Sequence, residues 1–125
     1  MVEEGRLRPV SKPDAGGEYG DQVIAQTPEP PYTAVIFTSY QSDDLEGYAE
    51  TDELMCELVE RQPGYLGRES ARDQMGITVS YWATPENARA WKNVAEHRLA
   101  QQNGRERWYD AYRVRVATIE REYGK

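Results

Sequence analysis

The chain has 125 residues, which suffice for one domain with a single hydrophobic core. Its 22 Asp and Glu residues outnumber its 15 Lys and Arg residues, and the formal charge is −7. Because phosphates and anionic lipids are bound by clustered Lys and Arg, we expect neither a nucleic acid nor a membrane as partner. Cys56 is the single cysteine and His97 the single histidine, so we expect no disulfide framework and no metal site.

Residues 1–31 differ in composition from the rest of the chain. They hold five of the seven prolines and few large apolar side chains, so they bury too little surface to offset the entropy of ordering. We predict that residues 1–31 form an arm, either flexible or docked, and that residues 32–125 form the domain. Residues 23–25 are apolar enough to anchor a docked arm on the domain. The first ten residues contain no apolar stretch, so we expect no secretory signal and a cytoplasmic protein.

The domain is predicted to begin with a strand and a helix. Residues 32–40 are rich in β-branched and aromatic side chains, which is typical of a central strand. Over residues 47–62, apolar side chains recur at steps of three and four opposite an acidic face, which predicts a helix that ends at Pro63 and Gly64. The recurring positions are Tyr48, Thr51, Met55, Leu58 and Val59.

A hairpin is predicted next. Residues 65–73 form a weaker strand, and residues 77–82 alternate β-branched and aromatic side chains after a short turn. Charges on the weaker strand suit a sheet edge, where they discourage wrong pairing. These charged residues are Arg68, Glu69, Arg72 and Asp73.

The second helix has a clear start. Thr84 is a suitable N-cap, and Pro85 fits the first helical position. Helical character continues to about residue 103, with Ala88, Trp91 and Ala95 on one face. A continuous helix places His97 off that face, whereas a break near His97 turns it inward.

The last strand completes a recognisable order of elements. Residues 105–110 are predicted to form a connector, and residues 112–119 alternate as a strand. Strand, helix, strand, strand, helix, strand is the α+β ferredoxin-like βαββαβ order, with one antiparallel sheet and both helices on one face. The other face is then uncovered and carries aromatic residues, which predicts a homodimer through the sheet face.

Candidate functional residues cluster in the second half of the chain. Trp82, Trp91, Trp108 and His97 lie within residues 82–108, followed closely by other polar and aromatic groups. An apolar pocket with a few polar groups is the usual form of a small-molecule site. Because histidine titrates near neutral pH, His97 is the candidate catalytic base, although a structural or exposed histidine is the simpler alternative.

The other candidates also have simpler interpretations. Arg105 is able to bind a phenolate oxygen, or instead to form a surface ion pair with Glu106 or Asp110. Trp91 suits core packing as well as contact with a flat ligand. Tyr112 is able to donate a hydrogen bond into a cavity, although most of the nine tyrosines are expected to pack at the edge of the core.

Several passages resemble the antibiotic biosynthesis monooxygenase-like family of the dimeric α/β-barrel superfamily. They are YTAVIFTS, QPGYLGRESARD, ITVSYW followed by TPENARAWK, and AEHRLAQQNGRERWYDAYRVRVA, within residues 32–123. The resemblance implies ferredoxin-like subunits that dimerise face to face, each with a cavity between sheet and helices. Some relatives oxidise polycyclic phenols to quinones with O2 and without metal or flavin, others degrade haem, and many have no known activity.

The haem-degrading pattern does not fit this chain. That pattern has an Asn in the first strand, a Trp in the second helix and a His about ten residues beyond that Trp. Here the first strand has no Asn, and His97 follows Trp91 after six residues. We therefore expect no haem.

The resemblance implies a cofactor-independent monooxygenase that oxidises an electron-rich phenol, anthrone or hydroquinone with O2. In this interpretation His97 is the base or donates a hydrogen bond to the phenolate, and Arg105 or Tyr112 stabilises the developing oxyanion. The small aromatic ligand is walled by Trp82, Trp91 and Trp108. The alternative is a non-catalytic dimer that binds a small molecule or serves in stress, and a third is an enzyme that detoxifies quinones or dicarbonyls.

Overall fold

The computed structural model describes residues 23–125. The elements are β1 (Tyr32–Gln41), α1 (Tyr48–Val59), β2 (Tyr65–Arg72), β3 (Gly76–Trp82), α2 (Pro85–Gln101), α3 (Gly104–Trp108) and β4 (Tyr109–Ile119). None of the helices in this part of the chain combines the length and hydrophobicity that a membrane span requires.

The four strands form one antiparallel sheet in the order β2-β3-β1-β4. α1 and α2 lie on the same face of this sheet, so the ferredoxin-like α+β fold is confirmed. The two central strands, β1 and β3, carry most of the β-branched residues, while β2, with its charges, is an edge strand as predicted.

The helix starts follow from local chemistry. Thr84 adopts an extended conformation, and its hydroxyl oxygen accepts the backbone N–H of Asn87 at 3.0 Å, with Pro85 at the first helical position. α1 begins after Gly47, whose φ of 83° lies in the left-handed region that favours glycine. The predicted N-cap of α2 is therefore confirmed.

The predicted connector over residues 105–110 is wrong, because the chain forms α3 and then enters β4 at Tyr109. Asn103 turns the chain with a φ of 59°, and the short helix follows at once. Its position depends on Gly104: a Cβ atom there would lie 2.6 Å from a ring carbon of Trp108. The buried Trp108 indole donates to the backbone carbonyl of Glu46 at 2.9 Å, which ties α3 to the start of α1.

The core is centred on Trp82, which is fully buried between the sheet and the helices. It clusters with Val59 and Ala88. Half-buried side chains pack around this cluster, namely Val35, Tyr65 and Trp91. The Trp82 indole donates to the hydroxyl of Ser80 at 2.9 Å, so the polar atom of this large side chain is satisfied.

The described part of the predicted arm lies against the domain. The backbone N–H of Ala25 donates to the Glu69 carboxylate at 3.0 Å, and the Tyr81 hydroxyl donates to the same carboxylate at 2.7 Å. Thr27 donates to Glu122 near the other end of the chain at 3.0 Å. Residues 1–22 lie outside the described residues, and the division into arm and domain stays a prediction.

Candidate small-molecule site

A cavity of about 470 Å³ lies between the sheet and the two long helices. Small-molecule sites typically have about 300–1,000 Å³, so this volume suits a ligand of a few rings. One wall is a stripe of α1 with helical spacing, formed by Tyr48, Thr51, Asp52, Met55, Cys56 and Val59. The other wall comes from α2, principally from Ala88, Trp91, Lys92, Ala95, Glu96 and Leu99.

The floor of the cavity is one face of the sheet, and its two halves differ in polarity. Because side chains alternate between faces along a strand, every second residue of each strand points at the ligand space. The half over β1 and β4 is apolar and consists of Val35, Phe37, Val114 and Val116. The half over β2 and β3 is mainly polar, with Arg68, Ser70, Arg72, Thr78 and Ser80 beside Ala71 and Gly76.

The side chains of the floor stand in rows that run across the sheet, because neighbouring strands pair residue by residue. Arg72, Gly76, Ser39 and Tyr112 form the first row across the sheet. Ser70, Thr78, Phe37 and Val114 form the second, and Arg68, Ser80, Val35 and Val116 form the third. Beyond the third row lies the buried Trp82, and Trp91 stacks on it with ring centroids 6.3 Å apart.

Near the first row of its floor, the cavity is bordered by a cluster of aromatic side chains, which we call the aromatic end. It consists of Phe37, Tyr48, Trp108, Tyr109 and Tyr112. Neighbouring ring centroids lie 5.3–6.4 Å apart, mostly edge to face. Such packing adds stability beyond the area buried and holds the rings in fixed positions.

Arg105 lies inside the aromatic end. Its guanidinium carbon is 5.1 Å from the ring centroid of Phe37 and 4.7 Å from that of Tyr112. One terminal nitrogen bonds the Glu96 carboxylate at 3.0 Å. The Nε–H of Arg105, however, is buried without a hydrogen-bond partner among the described residues. An unpaired buried donor costs about 1–3 kcal/mol, which a ligand oxygen placed there would offset.

Two tyrosines of the aromatic end are held in the neutral form. Burial raises the pKa of Tyr109, and the adjacent Tyr48 hydroxyl raises it further. Burial also raises the pKa of Tyr48, and the negative charge of Asp52 acts in the same direction. Both phenols therefore stay protonated at neutral pH, so they are hydrogen-bond donors and not bases.

The structure brings together three of the six predicted site residues. Trp91, Arg105 and Trp108 line the cavity. Trp82 is buried behind Trp91, outside the lining, and Tyr112 contacts the Arg105 guanidinium without lining the cavity itself.

His97 lies apart from the cavity. α2 continues unbroken from Pro85 to Gln101, so no second helix begins near His97. In a continuous helix this position is rotated away from the stripe of Ala88, Trp91 and Ala95, and the His97 side chain is exposed. The geometry therefore favours the alternative of an exposed histidine over a catalytic base.

The polar groups of the cavity are not among the site residues predicted from the sequence. The charges of Arg68 and Arg72 suit the edge position of β2, but the edge position does not determine the face on which the two arginines lie. The period of two along β2 already places Arg68, Ser70 and Arg72 on one face. Glu96, Tyr48 and Tyr109 gave no comparable signal, because their proximity depends on how α1, α2 and β4 pack.

Among residues 23–125, no group of three or more His, Cys, Asp or Glu side chains is arranged to hold a metal ion. Cys56 is half-buried in the α1 wall, and an Arg68 nitrogen lies 3.0 Å from its Sγ. The chemistry that these residues offer is therefore that of aromatic walls, guanidinium groups and neutral hydroxyls.

Comparison with known proteins places this geometry in context. No family model matches the chain. The uncharacterized protein YqjZ of Bacillus subtilis is 48% identical over 101 residues, which cover 79% of this chain and 89% of YqjZ. Identity at this level over most of both chains means a shared family.

Solved structures share the fold at low sequence identity. SnoaB, a cofactor-independent oxygenase from Streptomyces nogalater, matches with a TM-score of 0.61 at 9% identity, covering 77% of this chain and all of SnoaB (100%). A candidate antibiotic biosynthesis monooxygenase from Nitrosomonas europaea matches at 0.56 with 18% identity, covering 78% of this chain and 96% of the other. A dimeric ferredoxin-like protein from an uncultured marine organism matches at 0.57 with 10% identity, covering 78% and 94%. The chain thus belongs to the family of YqjZ and has the antibiotic biosynthesis monooxygenase-like fold.

Proposed function

We propose that the protein is a cofactor-independent monooxygenase that binds an electron-rich aromatic molecule in the cavity and oxidises it with O2. The observation that carries this proposal is the buried, unpaired Nε–H of Arg105 within the aromatic end. A donor in that position fits a ligand that brings an oxygen with negative charge into an aromatic pocket.

The reaction is balanced without an external reductant when the substrate is an anthrone. Loss of a proton from its CH2 group forms an anion whose charge rests largely on the ring oxygen. This anion passes its electrons to O2, the CH2 carbon becomes a C=O carbon, and the second oxygen atom leaves as water. All four electrons come from the substrate, so the chemistry needs no metal, flavin or nicotinamide.

The residues of the site have distinct roles in this reaction. The Arg105 guanidinium lowers the pKa of the bound anthrone by stabilising its oxyanion, and the proton passes to solvent. The Tyr48 hydroxyl, which stays neutral, donates a further hydrogen bond. Trp91 and Trp108 provide flat walls that hold the rings of the anion and reduce their contact with water. His97 has no role, because its side chain is exposed.

The proposal is tested by O2 consumption with anthrone as substrate, in buffer treated to remove metals. We expect one O2 consumed per quinone formed, at a rate well above the uncatalysed rate. Because His97 is exposed and outside the cavity lining, the His97→Ala variant is expected to keep full activity. Binding of anthrone without any turnover would overturn the proposal in favour of the non-catalytic ligand-binding alternative.

We further propose that two chains form a homodimer through the sheet face opposite the helices. Ile77 is 42% exposed on that face, and its neighbours there, Ile36 on β1 and Val79 on β3, are partly exposed. A second subunit would cover these apolar side chains, and the dimeric protein from the marine organism supports dimerisation in general.

Light scattering tests the assembly. We expect twice the mass of one chain for the wild type and dissociation in Ile77→Lys, because the charge would be buried in the interface. Met75 is equally exposed at 42% but lies in the turn between β2 and β3, so Met75→Lys is the matched control and is expected to stay dimeric. A wild-type monomer at micromolar concentration would contradict the proposal.

A further inference from the structure

The first row of the cavity floor holds a second guanidinium in an unusual position. Arg72 stands on the edge strand β2, yet its side chain crosses β3 and donates to the Ser39 hydroxyl on β1 at 2.6 Å. Arg72, Gly76 and Ser39 are direct partners in the sheet, so the side chain extends along the row. The guanidinium therefore lies flat on the floor of the cavity and lines it.

Gly76 makes this position available. A Cβ atom on residue 76 would lie 2.6 Å from the Arg72 Nε and closer still to the terminal nitrogen and the guanidinium carbon. Any residue other than glycine would thus push the guanidinium off the sheet. The Ser39 hydroxyl is buried and fixes the far end of the side chain.

Arg72 has no acidic partner among the described residues. Its side-chain hydrogen bond goes to a neutral hydroxyl, whereas Arg105 pairs with Glu96 and Arg107 with Asp44. Five cationic side chains line the cavity against two acidic ones, in a chain whose formal charge is −7. The cationic residues are Arg68, Arg72, Arg89, Lys92 and Arg105, and the acidic residues are Asp52 and Glu96.

We propose that Arg72 binds a carboxylate of the ligand, so that the substrates of this protein are aromatic acids. This inference rests on the proposed function and adds a specificity-determining residue to it. The rings lie on the apolar half of the floor, over Val35 and Phe37. The carboxylate lies over the polar half, where the remaining N–H groups of the guanidinium donate to its two oxygens in a fork. The hydroxyls of Ser70 and Thr78, 2.9 Å apart, border this position.

A pair of isosteric probes tests the inference. Anthraquinone-2-carboxylate and anthraquinone-2-carboxamide share size and rings but differ in charge. Their dissociation constants are measured with the wild-type protein by quenching of tryptophan fluorescence, at low and high salt. We expect the carboxylate to bind at least about tenfold more tightly than the carboxamide, which is the gain that a charged hydrogen bond provides. High salt is expected to weaken binding of the carboxylate and not that of the carboxamide.

Two variants and one control locate the effect. Arg72→Gln removes the charge, and Gly76→Ala keeps the charge but displaces the guanidinium, which is the flexible end of its side chain. Both are expected to abolish the preference for the carboxylate, because they weaken binding of the carboxylate far more than binding of the carboxamide. Arg61→Gln removes an exposed charge from the turn between α1 and β2, outside the cavity lining, and is expected to keep the preference.

The outcomes separate this inference from the proposed function. Equal binding of the two probes by the wild type, or a preference that survives both variants, overturns the role of Arg72. If anthrone oxidation is still observed in that case, the proposed function stands and only the substrate class is wrong. If neither probe binds, the inference fails together with the assignment of the cavity as the binding site.

Discussion

Replacement of Trp82 by alanine is expected to lower the free energy of unfolding by about 3–5 kcal/mol. The side chain is fully buried at the centre of the core, against Val59 and Ala88. Its removal leaves a large cavity. It also leaves the Ser80 hydroxyl, which accepts the indole N–H in the wild type, without that partner. Since a typical domain has only about 5–15 kcal/mol of stability, the variant is expected to be partly unfolded at room temperature. Urea denaturation followed by circular dichroism measures the change.

Trp91→Ala is the matched comparison. Trp91 stacks on Trp82 but is only half-buried and borders the cavity, so surrounding solvent relieves part of the loss. We expect it to lose clearly less stability than Trp82→Ala and to lose ligand binding instead. An equal loss of unfolding free energy in the two variants would show that Trp91 belongs to the core as fully as Trp82 does.

Replacement of Arg105 by glutamine is expected to lower kcat for anthrone oxidation by about 10²–10³, the usual cost of removing one donor to an oxyanion. Glutamine keeps a polar group near Glu96 but removes the positive charge and the buried Nε–H. Because the negative charge develops only after the neutral substrate is bound, the loss is expected in kcat more than in KM. Steady-state rates of quinone formation measure it.

Arg107→Gln serves as the control for this substitution. Arg107 lies two residues further along α3, pairs with Asp44 at 3.3 Å and does not line the cavity. It loses the same charge from the same helix, and we expect no more than a small change in rate. A rise in KM alone in Arg105→Gln would assign the residue to binding and contradict its role in stabilising the oxyanion.

The fold could be predicted because its elements carry strong periodic signals. Residues 32–40 alternate and are β-branched, and the N-cap at Thr84 marks the start of α2 with a specific bond. α3 was missed for the opposite reason. A helix of five residues is too short to show a period, and Asn103 and Gly104 before it are typical of a loop.

The site could be predicted only in part. The aromatic residues were found because tryptophans are few and close in sequence, but composition did not show that Trp82 lies behind the wall and Trp91 within it. The position of His97 depended on whether one helix continued, which the pattern left open. Arg72 could not be assigned, because its partner Ser39 stands 33 residues earlier and two strands away.

The turn between β2 and β3 has a consequence for how this cavity changes in evolution. Three residues, 73–75, connect the strands, and the N–H of Asp73 donates to the carbonyl of Met75 at 3.1 Å. Because a shift of one residue in a strand exchanges its two faces, a change in this turn that slipped β2 by one residue against β3 would turn Arg68 and Arg72 away from the cavity and Glu69 toward it. The charge that the cavity offers to its ligand therefore depends on the register that this short turn holds.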